Sequence, residues 1–377
     1  MAIDTAVRYE IDTNEVEVLL EKLYEAYRKC TNEADKKIIS TDILHVIDLL
    51  DKLGYYAKES AQPTFIHEPL IKKVRRDAEI YTANQEMIDA LLEFNRSVKN
   101  PRLIDHDMEP LGLTDEEIFT LVHDFYRDRL PTFFAPFMKL FDKRERRVHF
   151  LEADTTDQEF GAMHPIYSLK DFFITINDDE TAETILSAVH EEMHGTSLII
   201  NPKHLYSPSK FYLEEVDSYF AELVAIQHFS ETMPNGIDYE YAAAKNIEAI
   251  LNKAKTVQMK MQSIRDVKDN KLRYNQDILN LYRRQNMAGR EVYNMFKRDL
   301  KKDSYYGYPF LIAIELFHMY LNDPEYAQFI LKQLIEWEEP LDRARMIECL
   351  GINVNQHSKE FAEAVCLKFR KQDVPRV

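Results

Sequence analysis

NDDETAETILSAVHEEMHGTSLII, residues 177–200, is the stretch from which the rest of the chain can be read. Acidic residues crowd its beginning, where they suit the positive end of a helix dipole, and a helical pattern follows. Ile185, Val189 and Met193 recur every four residues and form an apolar stripe, which leaves His190 and His194 on a neighbouring face. Prolines at 202 and 208 close the loop after it. Residues 190–194 read His-Glu-Glu-Met-His. Positions four apart on a helix differ by only about 40° in direction and ~6 Å along the axis, so both imidazoles reach one ion. Glu191 follows the first histidine and leans toward that ion's open side without being a ligand, the place of a general base. The pattern is that of a catalytic zinc, which is held by three protein side chains with one position left open.

A third ligand is therefore required, and LEEVDSYFAEL, residues 213–223, offers Glu214, Glu215 and Asp217. Glu215, Ser218 and Glu222 share one helical face, whereas Asp217 points about 200° away from Glu215. Glu215 as ligand, with Glu222 behind it holding the free N–H of a liganding histidine, meets the usual need for an orienting carboxylate.

Outward from these helices, RRVHFLE at 146–152 and DFFITIN at 171–177 are rich in β-branched and aromatic residues and read as strands, so a small sheet precedes the metal helix. Between them, Gly161 to Tyr167 suits an edge strand able to pair with an extended peptide, and His164 within it reads as structural. Elsewhere helices are expected to dominate, because the 377 residues include only eight glycines, the residue that tight turns consume. Apolar residues return every three or four positions from about 13 to 98, giving an N-terminal helical lobe over residues 1–100. A boundary falls in KNPRLIDHDMEPLGLT, before the helix-start signal T-D-E-E at 114–117, and residues 101–377 form the catalytic region. The predicted fold is mainly α, with the substrate cleft between helical lobes.

Composition narrows the function. A net charge of −17 repels phosphate backbones and anionic lipid, so neither nucleic acid nor a membrane is an expected partner. No run of about 18 apolar residues and no basic leader appears, which predicts a cytoplasmic protein. Cys30, Cys349 and Cys366 are far apart and lack thiolate-site spacing.

HEEMH followed by EVDSYFAE resembles the thimet-type oligopeptidases, the M3 family of zinc metallopeptidases, and especially their oligoendopeptidase F branch. The similarity extends upstream through FGAMHPIYSLKDFFITINDDETAETILSAV and downstream through YYGYPFLIAIELF and ILKQLIEWEEPLDRARMIECLGINVNQHSKEFAEAV, roughly residues 100–370. The resemblance implies one zinc per chain on His190, His194 and Glu215, Glu191 as base and proton shuttle, and cleavage of internal bonds in oligopeptides. It also implies tyrosine donors to the oxyanion from the 305–308 run, Tyr308 first and then Tyr305, on or beside a helix opened by Pro309. Three departures stand out: Met193 replaces the family's usual glycine, Gly195-Thr196-Ser197 replaces Ala-x-His, and REVYNMFKRDLKKDSYYGY lacks a histidine that many members carry. The N-terminal portion is also shorter than in typical members. The alternatives are a carboxypeptidase of another helical HExxH class and a non-catalytic, zinc-stabilised interaction protein. Oligomeric state is not legible.

Overall fold

The protein is described here from a computed structural model. It describes residues 13–32, scattered positions of 35–46, 70–98, 103–141, 147–152, 161–166, 171–203, 214–269, 271, 300–337 and 347–370. The fold is mainly helical with one small sheet. Helix α1 (Thr13–Lys29) is followed by α2 (Leu70–Ala83), α3 (Gln85–Ser97), α4 (Asp115–Arg129) and α5 (Pro131–Phe137). Strands β1 (Val148–Glu152), β2 (Gly161–Ile166) and β3 (Asp171–Asp178) come next. The remaining named helices are α6 (Ala182–Ile200), α7 (Glu214–Thr232), α8 (Gly236–Lys268), α9 (Leu300–Asn322), α10 (Pro324–Glu336) and α11 (Ser358–Leu367).

The local signals act where they stand. Thr114 caps α4 by accepting from the Glu117 N–H, and the Glu117 side chain accepts from the Thr114 N–H in return. That reciprocal bond satisfies two donors that a helix start otherwise leaves open. The acidic lead into α6 also does more than complement a dipole. Asp179 accepts from the Thr181 N–H and hydroxyl and from the Thr184 hydroxyl, and Thr181 then accepts from the Glu183 N–H as the cap. Glu180 takes a left-handed φ of 62°, which lets β3 turn into α6 within a few residues.

In the sheet the order is β1-β3-β2, with β1 parallel and β2 antiparallel to β3. Among the described residues both outer strands are edges, β2 included. Phe172, Ile174 and Ile176 of β3 are buried, and alternation puts them on one face. Helix α6 lies against β3 and against α7, with α5 also touching it, so most of its circumference is covered. Its close approach to the sheet requires Gly195, where an added Cβ would come within 2.7 to 2.9 Å of Ile174, Leu140 and Phe172.

Helices α2 and α3, which belong to the N-terminal lobe expected from the sequence, pack on α8 and α9 and share their hydrophobic core. A second, small cluster joins Val16, Leu20 and Leu23 of α1 to Ile39, Ile43 and Val46, with Phe173 of β3 packed against it. Residues 1–12 and 47–69 of that lobe lie outside the described residues. One expectation needs correction: Pro309 does not open a helix but sits inside α9, which starts at Leu300. An internal proline costs about 3 kcal/mol or more. The turns after it bury Phe310, Leu311, Ile312, Ala313 and Ile314, apolar burial enough to offset that cost. Among the described residues no helix is long and apolar enough to cross a membrane.

Gly195→Val is expected to destabilise the fold by about 1–3 kcal/mol through overpacking against the sheet. Gly195→Ala should cost less, because its gain of about 1 kcal/mol in helix propensity offsets the crowding. Thermal unfolding of the two variants checks the order.

Candidate metal centre

His190 and His194 project from α6 toward the first turns of α7, their rings edge-on with centroids 4.9 Å apart. Glu215 Oε2 lies 3.3 Å from His190 Nε2 and 3.6 Å from His194 Nε2. One donor atom from each of these three residues lies within 4.8 Å of the others, so the group is able to hold a metal ion. The approach is close enough for charge attraction but is not aligned for hydrogen bonding, and Glu215 Oε2 is buried with no hydrogen-bond partner. A buried carboxylate oxygen without a donor is costly unless a cation meets it. Two imidazole nitrogens and one carboxylate are a donor set that zinc takes. The residues present fit the ion.

The outer nitrogens are held as well. His190 Nδ1 is 3.1 Å from Glu222 Oε2, and the Asn246 side chain of α8 donates to the other Glu222 oxygen. His194 Nδ1 is 3.6 Å from Asp217 Oδ1. Asp217 is fixed in turn by the Ser218 N–H at 2.7 Å and by the Ser197 hydroxyl one turn past His194. Each ring thus has a carboxylate behind it and turns its Nε2 inward. Helix α6 is itself pinned from outside by Tyr126 of α4, whose hydroxyl donates to the Val189 carbonyl at 3.0 Å while its ring stacks on Phe137.

Protonation follows from this crowding of carboxylates. Burial alone would lower both histidines. For His190, however, Glu215, Glu222 and Glu191 more than reverse it and hold the ring well above its usual value. For His194 the charge of Glu215 outweighs burial and raises it to about 9. Burial would raise Glu215, but the two histidines pull it below the usual carboxylate range. Asp217 is pushed up to about 6 by burial, with His194 opposing. Metal-free, the site therefore carries protons in place of a cation.

Glu191 occupies the remaining side. The Met163 backbone N–H of edge strand β2 donates to it, and burial raises it against the pull of His190 and His194. Gly161 makes this placement possible: an added Cβ there would stand 2.8 Å from Glu191 Cγ, 2.5 Å from Ser187 Oγ and 3.1 Å from the Thr175 carbonyl. Glu192 turns the other way into the core, where burial pushes its carboxyl well up.

The tyrosines fall into different places. Tyr308 is buried in the main core, and the Tyr305 side chain lies outside the described residues. Tyr306 is half-buried, with the Lys253 ammonium of α8 4.2 Å above its ring. Tyr219 of α7 stands edge-on to the candidate ligand His190, with centroids 5.3 Å apart. Burial and the charges of Glu215 and Glu222 push its hydroxyl well above the usual phenol range. Sequence reasoning missed Tyr219 and weighed Asp217 only as a ligand, not as the carboxylate behind His194. Tyr219 had a usable signal, since it stands one turn beyond Glu215 on the same face. His164 stacks on Phe173 and bonds Thr175 at 2.9 Å, in keeping with a structural role.

No family model and no curated protein matches the chain. Among solved structures it is similar to a protein described as an oligoendopeptidase F from Bacillus anthracis, at 13% identity and a TM-score of 0.48, covering 95% of this chain and 66% of that one. A protein described as a peptidase from Chlamydophila abortus gives 11% identity and a TM-score of 0.49, covering 95% and 63%. PZ peptidase A in complex with an inhibitor gives 11% and 0.48, covering 96% and 77%. The chain spans just under two-thirds of the length of the first two.

Zinc uptake is expected to displace protons from the imidazoles. Apparent affinity should then rise with pH through the range in which the two imidazoles lose their protons, about 9 for His194 in the metal-free protein. Calorimetric titration near about pH 7 in buffers of different ionisation enthalpy checks this. A buffer-independent heat would show that the rings are neutral before the metal binds.

Proposed function

We propose that this chain is a zinc-dependent peptidase that hydrolyses internal bonds of oligopeptides. The observation that carries the reading is the buried, hydrogen-bond-free Glu215 Oε2 facing two inward-turned Nε2 atoms, with Glu191 beside strand β2, an edge among the described residues. His190, His194 and Glu215 hold the ion, one per chain. When bound, zinc supplies Lewis acidity that polarises a carbonyl and makes water a stronger acid.

The chain's own residues do the rest. Glu191, raised by burial and lying outside the ligand set, takes a proton from the attacking water as its oxygen bonds to the carbonyl carbon. It then delivers that proton to the leaving nitrogen as the C–N bond breaks, and the water's second proton stays with the new carboxyl group. Edge strand β2 supports a peptide as substrate: an extended chain adds to it through main-chain hydrogen bonds, which are indifferent to side-chain identity. The Met163 N–H that donates to Glu191 ties the base to this edge. Glu222 and Asp217 keep the two imidazoles oriented throughout.

Cleavage of a quenched fluorescent peptide library by zinc-loaded protein, with zinc counted by elemental analysis, tests this reading. Glu191→Gln should keep its zinc and lose about 10²–10⁴-fold in rate. Release of single C-terminal residues would make the protein a carboxypeptidase instead. Zinc binding with wild type and Glu191→Gln equally inert would leave a zinc-stabilised interaction protein. Gly161→Val should also retain zinc yet lose about 10²-fold in kcat, because the new side chain displaces Glu191 from its place against β2. Full activity in that variant would separate the glycine from the base.

A further inference from the structure

In β3 the Ile174 N–H donates to the Arg147 carbonyl next to β1 at 2.6 Å, so the backbone groups of Ile174 point away from β2. Pointing alternates along a strand, and Phe173 and Thr175 therefore aim theirs at β2. The register sets Ala162 opposite Thr175 and His164 opposite Phe173, which makes these the hydrogen-bonded pairs of the ladder. Gly161, Met163 and Pro165 stand opposite Ile176, Ile174 and Phe172, and turn their backbone groups outward. Pro165 agrees with that assignment, since a proline is tolerated in a sheet where its missing donor would face off the edge. The outward side of β2 thus presents three carbonyls and few donors. Pro165 has no N–H, the Met163 N–H is taken by Glu191, and Gly161 keeps the one N–H on offer among the described residues of this edge. An added Cβ on Gly161 would stand 2.8 Å from Glu191 Cγ, so the base meets the strand at its Gly161–Met163 end. Pro165 lies two residues beyond Met163, about 7 Å along the strand.

An added strand normally exchanges a donor and an acceptor with each outward residue. Resting on the peptidase reading above, we propose that Pro165 is a specificity-determining residue: its carbonyl accepts from a substrate N–H, its ring nitrogen offers the substrate carbonyl nothing, and β2 reads an extended peptide by its N–H groups. The occupant is substrate rather than a second copy of the chain, because Glu191 is tied to the same strand. Such an edge discriminates among peptides whatever their side chains. A peptide with proline at the position facing Pro165 lacks the required hydrogen and makes no bond there.

Pro165→Ala restores an outward N–H and touches no bond between β2 and β3, so zinc content should match wild type, as elemental analysis will read. The probe is a quenched fluorescent peptide running about four residues to either side of the cleaved bond, enough to reach Pro165 from the base. On it KM should fall about 2–10-fold in Pro165→Ala with kcat unchanged, since the added bond holds ground state and transition state alike. Truncating the peptide from the end that lies on Pro165 should erase the difference. In wild type, an ester in place of the one amide whose N–H meets the Pro165 carbonyl should raise KM about 2–10-fold. Equal KM for the two proteins on the long peptide overturns the proposal, as does a difference that survives truncation from both ends. Self-association of Pro165→Ala in sedimentation with KM unchanged also overturns it, and makes the proline a guard against pairing between copies. Should Pro165→Ala not fold, the ester scan of wild type decides alone, and insensitivity at every amide away from the cleaved bond overturns the proposal. The peptidase reading fails by a different result, a wild type as inert as Glu191→Gln across the library. Fluorescence anisotropy of the same peptides on zinc-loaded protein still reads the comparison in that case, and equal affinity or none overturns the proposal.

Discussion

Everything at the centre of this protein depends on one contact, a buried carboxylate oxygen of Glu215 facing the Nε2 atoms of His190 and His194 across the α6–α7 interface. A carboxylate in that position tolerates little displacement, since moving away leaves it neither paired nor hydrated. The packing around it reads as a set of devices that keep two helices at one spacing. Gly195 lets α6 press onto β3, Tyr126 bonds the α6 backbone from behind, and Asp179 with Thr181 fixes where the helix begins. None of them is a ligand, yet each sets where the ligands point.

Charge follows from the same arrangement. Carboxylates of Glu191, Glu215, Glu222 and Asp217 surround two imidazoles, and both rings are raised in spite of burial that would lower them. The outer carboxylates cost desolvation that a single polar contact would not offset. They are retained by further bonds, from Asn246 to Glu222 and from Ser197 and Ser218 to Asp217. The networks are satisfied from three different helices, α6, α7 and α8, so orientation of the rings is a property of the bundle rather than of either metal helix. The sheet contributes the opposite side, where a glycine and a backbone N–H of one edge strand hold the base.

Tyrosine chemistry shows how far an element's own pattern reaches. The run at 305–308 is conspicuous as sequence, but Tyr306 and Tyr308 lie about 200° apart around a helix and cannot share a face. Tyr308 is in the core, whereas Tyr306 faces Lys253 of α8. Tyr219, inconspicuous among neighbouring apolar residues, is held edge-on against His190.

What could be read in the sequence was what one helix or strand determines within itself. The spacing of His190 and His194, the capping at Thr114, the strands before the metal helix and the shared face of Glu215 and Glu222 all follow from periodicities of 3.6 and 2. Asp217 escaped because its direction was judged around α7 alone. About 200° from Glu215 is still within reach of His194 Nδ1 when α6 and α7 lie side by side. Gly161 looked like a strand residue of no special weight until the fold put Glu191 against it. Pro309 was read by its usual preference for a helix start, and apolar burial in the turns after it overrode that preference. Sequence by itself thus determined which residues could bind a metal and act as base. Tertiary structure alone decided which side chains orient the ligands and make room for the base, because those depend on distances between elements, which no periodicity along a single chain segment encodes.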